Sequence, residues 1–95
     1  MMIRLVANFY VKKEHLDEAL ALAKELVAET RKEEGCAQYD LAQALESPEL
    51  IVILESWESQ ETLAAHSASE HFTRIVPALK GLCENVDTKR YLQVL

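Results

Sequence analysis

The stretch ILESWESQETLAAHSASEHF, from Ile53 to Phe72, carries Glu55, Trp57, His66 and His71 across the end of a strand pattern and the start of a helix pattern. These side chains can move protons and hold a flat ring. Glu55 alternates with Ile51, Ile53 and Trp57, which carries a carboxylate among apolar neighbours. Such a group either finds a partner, with Arg4, Arg74 and Arg90 the candidates, or has a raised pKa suited to proton transfer. Trp57 offers a broad face and one donor, and serves equally as core anchor, interface residue or wall of an aromatic pocket.

His66 is the better candidate base, because a partly exposed ring near the beginning of a helix packed over strand ends could take a proton from a phenolic hydroxyl. A cap or local hydrogen-bonded surface residue is the alternative. On one continuous helix, Glu70 lies beside His66, whereas His71 points elsewhere, so the two imidazoles are not expected to form a metal face. Asn8 either orients a substrate oxygen or a bound dioxygen, or satisfies nearby backbone. Tyr10, Tyr39 and Tyr91 could each bring a hydroxyl to the same cavity, and His15 reads as surface.

The motifs of other chemistries are missing. The sequence holds no GxGxxG, Walker loop, GxSxG, HExxH or paired cysteine ligands, and no cofactor or metal is expected. Cys36 and Cys83 read as buried, reduced thiols.

The elements that must position these residues follow from periodicity. Residues 2–11 alternate as a strand, with Ile3, Leu5, Ala7, Phe9 and Val11 on one side and Arg4, Val6, Asn8 and Tyr10 on the other. Residues 13–34 read as a helix with an apolar stripe through Leu16, Leu20, Ala23 and Val27, stopped by Gly35. Residues 36–45 and 50–57 read as a hairpin around the ESPE turn. Ser59 is expected to cap a helix from Gln60, Ser69 to restart or tighten it, Pro77 to bend or interrupt it, and Gly81 to end it. Residues 83–95 supply the last strand.

The order βαββαβ defines an α+β, ferredoxin-like fold with an antiparallel sheet and two helices on one face. Strands one and three have apolar residues for both faces. The helix-free face therefore needs a cover, which a second subunit or an apolar ligand would supply.

A length of 95 residues suits a single domain, 1–95, and 49% hydrophobic residues argue against disorder. Sixteen acidic against ten basic residues give a net charge of −6, with no basic run longer than a pair. Nucleic acid and anionic membrane are thereby disfavoured as partners. No leader pattern or long apolar run is found, so a cytoplasmic location is expected.

The segments RKEEGCAQYDL (31–41) and ILESWESQETLAAHSASEHFTRIVP (53–77) resemble the antibiotic-biosynthesis monooxygenase family, small dimeric α+β barrel proteins that include quinol monooxygenases. The resemblance spans essentially the whole chain and rests on the combination of Glu55, Trp57, His66, His71 and Phe72. It implies a homodimer of packed sheets with a cavity between sheet and helices in each subunit. It also implies chemistry without flavin, haem or metal, in which a small quinol or phenol is deprotonated and reacts with dioxygen. Carried onto this chain, it places Asn8, Trp57 and His66 around the substrate, Glu55 in support, and His71, Phe72 and Tyr10 as further binding residues. Ile53 stands where aromatic-polyketide oxygenases carry a catalytic asparagine. Haem degradation is not expected, because His66 and Val76 stand where the haem-degrading relatives carry a tryptophan and an iron-ligating histidine. A processing enzyme or isomerase for a hydroxy-carbonyl metabolite, and a non-catalytic ligand-binding protein, use the same pocket as alternatives.

Overall fold

A computed structural model describes residues 1–95. The chain runs β1 (Ile3–Val11), a short 3-10 turn (Lys13–His15), α1 (Leu16–Thr30), β2 (Cys36–Gln43), β3 (Leu50–Trp57), α2 (Gln60–Ser67), α3 (Glu70–Lys80) and β4 (Cys83–Leu92). The four strands form one antiparallel sheet in the order β2-β3-β1-β4. This is the expected α+β, ferredoxin-like arrangement. No helix is long and apolar enough to cross a membrane.

Alternation decides which side chains meet the helices. Ile3, Leu5, Ala7, Phe9 and Val11 are all buried, as are Ile51, Ile53, Glu55 and Trp57 on the neighbouring strand. Ala19 and Ala23, fully buried on α1, let that helix approach closely. The opposite face carries Arg4, Val6, Asn8, Leu50, Val52 and Leu54, all only half-buried. Full burial of an exposed aliphatic side chain contributes about 1.5–3 kcal/mol, and the part of it that these half-buried residues have not realised is unused driving force on this face.

Three local departures bear on the site. The first helix ends at Thr30 rather than Glu34, and residues 31–35 form turns in which the Lys32 and Glu33 N–H groups donate to the carbonyls of Glu29 and Thr30. Gly35 follows at φ +83°, and a Cβ there would sit 2.4 Å from Thr62 Cγ2. The second helical region is two helices. Ser59 and Thr62 form a reciprocal capping box at the start of α2, and Ser69 caps α3, its Oγ accepting from the Phe72 N–H. Pro77 does not interrupt: α3 continues through it to Lys80, and the break falls at Ala68 and Ser69. The last and second strands also stop short, at Leu92 and Gln43. Cys36 and Cys83 are free thiols, each pushed up in pKa by burial.

Candidate active site

A cavity of about 220 Å³ lies between the sheet and the helix pair α2–α3. Leu5, Phe9 and Ile53 rise from the sheet, and Leu63, Phe72 and Val76 close over them. Tyr39, Glu55 and His66 are the titratable groups of its interior, with Lys80, Thr88 and Arg90 also in its lining. A broader groove of about 630 Å³ outside shares Leu63, Ser67 and Arg90 with it but has no carboxylate or imidazole.

His66 sits in the last turn of α2, not near the beginning of a helix, and is 1% exposed rather than partly exposed. Its Nδ1 lies 2.7 Å from Glu33 Oε2, and His71 Nε2 lies 2.6 Å from the same oxygen. The two histidines therefore converge, against the expectation that His71 points away. The cause is the break at Ser69, whose hydroxyl donates to the His66 carbonyl and starts a new helix axis before His71. Glu70, the neighbour expected for His66, instead accepts from Arg74.

A carboxylate can only accept hydrogen bonds, so both rings donate to Glu33. That fixes His66 as the Nδ1–H tautomer and leaves Nε2 with its lone pair free. This nitrogen is buried and has no partner. Burial holds the His66 pKa below the usual histidine range, opposed by Glu33 and reinforced by His71, so the ring is neutral at pH 7. The ring is also clamped: Trp57 lies 4.6 Å away centroid to centroid, Phe72 5.0 Å edge-on and Tyr39 5.4 Å edge-on. A fixed, neutral imidazole on an apolar cavity is equipped to accept a proton. The cation so formed would face the Glu33 carboxylate and the carbonyl end of α2.

Glu55 does not pair with an arginine. Trp57 Nε1–H donates to its Oε1 at 2.9 Å, while Arg4 is held by Gln38 and Gln93, and Arg74 by Glu25 and Glu70. Burial raises the Glu55 pKa above the ordinary carboxylate value, against the lowering effects of the Trp57 bond and the Arg90 charge. Trp57 itself is 0% exposed and stands behind His66 and Tyr39, outside the cavity lining, so it braces the ring instead of meeting a ligand. Burial likewise pushes the Tyr39 hydroxyl up, helped by the Glu55 charge.

Two expected site residues are elsewhere. Asn8 pairs with Val52 across the sheet and points to the helix-free face, where its Nδ2 donates to Asp87 Oδ1 at 3.0 Å. Tyr10 shares that face, exposed, with its pKa raised chiefly by the Asp87 charge. Asn8 and Tyr10 are therefore separated from His66 by the thickness of the sheet. Sequence reasoning missed Glu33, because an acidic residue at the end of a helix pattern looks like solvated surface. The signal for its role was indirect: Ser69 marks the break that turns His71 back.

Glu33, His66 and His71 also bring three ligand-type atoms within 4.8 Å of one another. Ligands of a tetrahedral zinc ion, bound at about 2.0–2.2 Å, stand roughly 3.3 Å apart. The two histidine–Glu33 separations, 2.7 and 2.6 Å, are shorter, and are those of hydrogen bonds. Glu33 would have to draw back from both rings to hold a metal ion with them.

The fold and this cavity define a class of small α+β proteins with a covered pocket on one side of the sheet. Residues 2–78 match the antibiotic biosynthesis monooxygenase family, and the chain belongs to it. It is 38% identical over 81 residues to "Putative monooxygenase YcnE" of Bacillus subtilis, covering 85% of each chain. A conserved protein from Methanosarcina mazei Go1 superposes with a TM-score of 0.92 at 39% identity, covering 96% of this chain and 91% of the other. A crystal structure of an antibiotic biosynthesis monooxygenase superposes at 0.93 with 33% identity, covering 98% and 99%.

Proposed function

We propose that this protein is a monooxygenase that oxidises a small quinol or phenol with dioxygen, with His66 as the general base. One observation carries the reading: His66 lines an apolar cavity with its Nδ1 tied to Glu33 and its buried Nε2 left without a partner, so that a small turn of the ring would present that nitrogen to a ligand. A phenolic hydroxyl entering the cavity gives its proton to Nε2, and the resulting electron-rich anion reacts with dioxygen. One oxygen atom enters a ring carbon and the other leaves as water. For a quinol, this gives a hydroxyquinone, and the substrate supplies all four electrons, so no further reductant is required. The apolar walls favour the step by excluding water from the anion.

The membership of the family supports oxygenation; the quinol and the dioxygen are the reading's own content. The same reading includes a homodimer formed through the helix-free sheet face, on which Asn8 and Tyr10 would serve assembly and not chemistry. Oxygen consumption by the metal-stripped protein against a panel of reduced quinones and polyphenols tests it. The expected result is uptake with one labelled oxygen atom in the product. Peroxide without incorporation would make the protein an oxidase, and proton exchange without oxygen uptake would leave only the proton-transfer half of the proposal.

A further inference from the structure

Three of the four arginines are occupied: Arg4 by two glutamines, Arg31 by Asp40, and Arg74 by Glu25 and Glu70. Arg90 has no hydrogen-bond or ion-pair partner, and neither does Lys80. Among the lysines only Lys32 has an ion-pair partner, so Arg90, the one arginine left free, is the exception, and Lys80 is the free lysine that shares its cavity. Arg90 stands on β4 opposite Leu5, on the helix-covered side of the sheet, and Lys80 is the last residue of α3. Both are exposed, yet both line the His66 cavity, so they belong to its rim.

Glu55, the acid of the cavity interior, forms an ion pair with neither of them. It is 6% exposed and has its Oε1 taken by Trp57, and burial raises its pKa against the lowering effects of that bond and of the Arg90 charge. The cavity thus combines an apolar interior, a base at one wall and two cations without ion-pair partners at the mouth. Its 220 Å³ falls below the about 300–1,000 Å³ typical of pockets for drug-sized ligands, so it suits one or two rings.

We infer that the substrate is a one- or two-ring phenol or quinol bearing a carboxylate, held at the mouth of the cavity by Arg90 with Lys80 while its hydroxyl reaches His66. The guanidinium fork matches a carboxylate with two parallel donors, and the lysine adds a point charge. Held at its acidic end, a flat ligand can enter in one direction only, with the hydroxyl leading. This rests on the proposed oxygenase reading for the word substrate, but the ligand class can be tested without turnover.

The probes are a hydroxynaphthoate and its neutral hydroxynaphthamide, titrated calorimetrically under anaerobic conditions. A hydrogen bond to a charged group contributes about 1.5–3 kcal/mol, so the acid should bind tenfold or more tighter than the amide. Arg90→Gln with Lys80→Gln should abolish that preference and leave the affinity for the amide unchanged, and Arg90→Lys should retain part of it. Equal binding of acid and amide, binding of neither at about millimolar concentration, or a preference that survives the double substitution would overturn the inference. A preference for the acid with no oxygen uptake from any quinol keeps the ligand class and removes the oxygenase reading. Oxygen uptake from neutral quinols with no preference for the acid does the reverse.

Discussion

At the scale of single residues, burial changes what a substitution of His66 can report. Replacing a 1% exposed ring by alanine opens a hole between Trp57, Tyr39 and Phe72, so stability falls along with any chemistry. His66→Gln fills more of the space and is the better probe. Turnover should drop about 10²–10⁴-fold with the fold retained, as measured by oxygen uptake beside a melting curve. Glu33→Gln keeps an acceptor for the two rings but removes the charge that favours the imidazolium. Turnover should fall, and the acid limb of its pH profile should move to lower pH, because Glu33 is what raises the His66 pKa against burial. An unmoved limb would separate Glu33 from the base.

Glu55 makes a prediction of opposite sense. Its folded-state pKa is raised, so the native state holds a proton that the unfolded chain has already lost. The stability associated with that proton is full below the ordinary glutamate value and is lost as pH rises through the folded pKa. Glu55→Gln keeps an acceptor for Trp57 and cannot ionise. Relative to the native protein, this variant should therefore gain stability as pH rises from 4 toward neutrality. The gain is about 1.4 kcal/mol for every pH unit that separates the folded pKa of Glu55 from its unfolded one. Urea melts of both proteins at several pH values measure it, and a difference between them that runs the other way with pH would refute the sign.

At the scale of elements, the two glycines should respond differently. Gly35 has positive φ and a neighbouring Thr62 side chain where a Cβ would go, so Gly35→Ala should cost several kcal/mol by strain and overlap. Gly81 is right-handed, with the nearest atom to a new Cβ at 3.4 Å, and Gly81→Ala should change stability by less than about 1 kcal/mol in either direction. Chemical denaturation of the pair checks this. The first and third strands were legible in the sequence, because alternation and a continuous aliphatic run leave little choice of face or extent. The split between α2 and α3 was half legible, in Ser69 as a cap. What could not be read was which side of β1 faces the side of β3 that carries Glu55. Both strands have apolar residues on both sides, so only the pairing of Leu5 with Glu55, and of Asn8 with Val52, removes Asn8 from the cavity.

At the scale of the whole molecule, the subunit is a slab with extents of 39 × 29 × 18 Å, and its thin dimension is that of one sheet and one layer of helices. Nothing in the chain covers the second side of the sheet. There, Val6, Leu50, Val52 and Leu54 form a central apolar patch, and Arg4, Gln38, Asp40 and Asp87 lie on the same face as polar groups. An apolar centre with polar surroundings is the composition of a protein interface. A dimer of standard to large size would bury about 1,000 Å² from each subunit, a sixth or so of the 5842 Å² that one chain exposes. The proposed assembly should therefore sediment at about twice 10.8 kDa at micromolar concentration. Val52→Glu, which sets a charge in the middle of that face, should shift it to the mass of one chain. Because the His66 cavity opens on the other side of the sheet, the separated subunit should still bind the aromatic ligand if it remains folded. A native protein that sediments as a single chain would remove the dimer and leave the cavity chemistry standing, whereas loss of ligand in a folded Val52→Glu monomer would show that the second subunit shapes the pocket across the sheet.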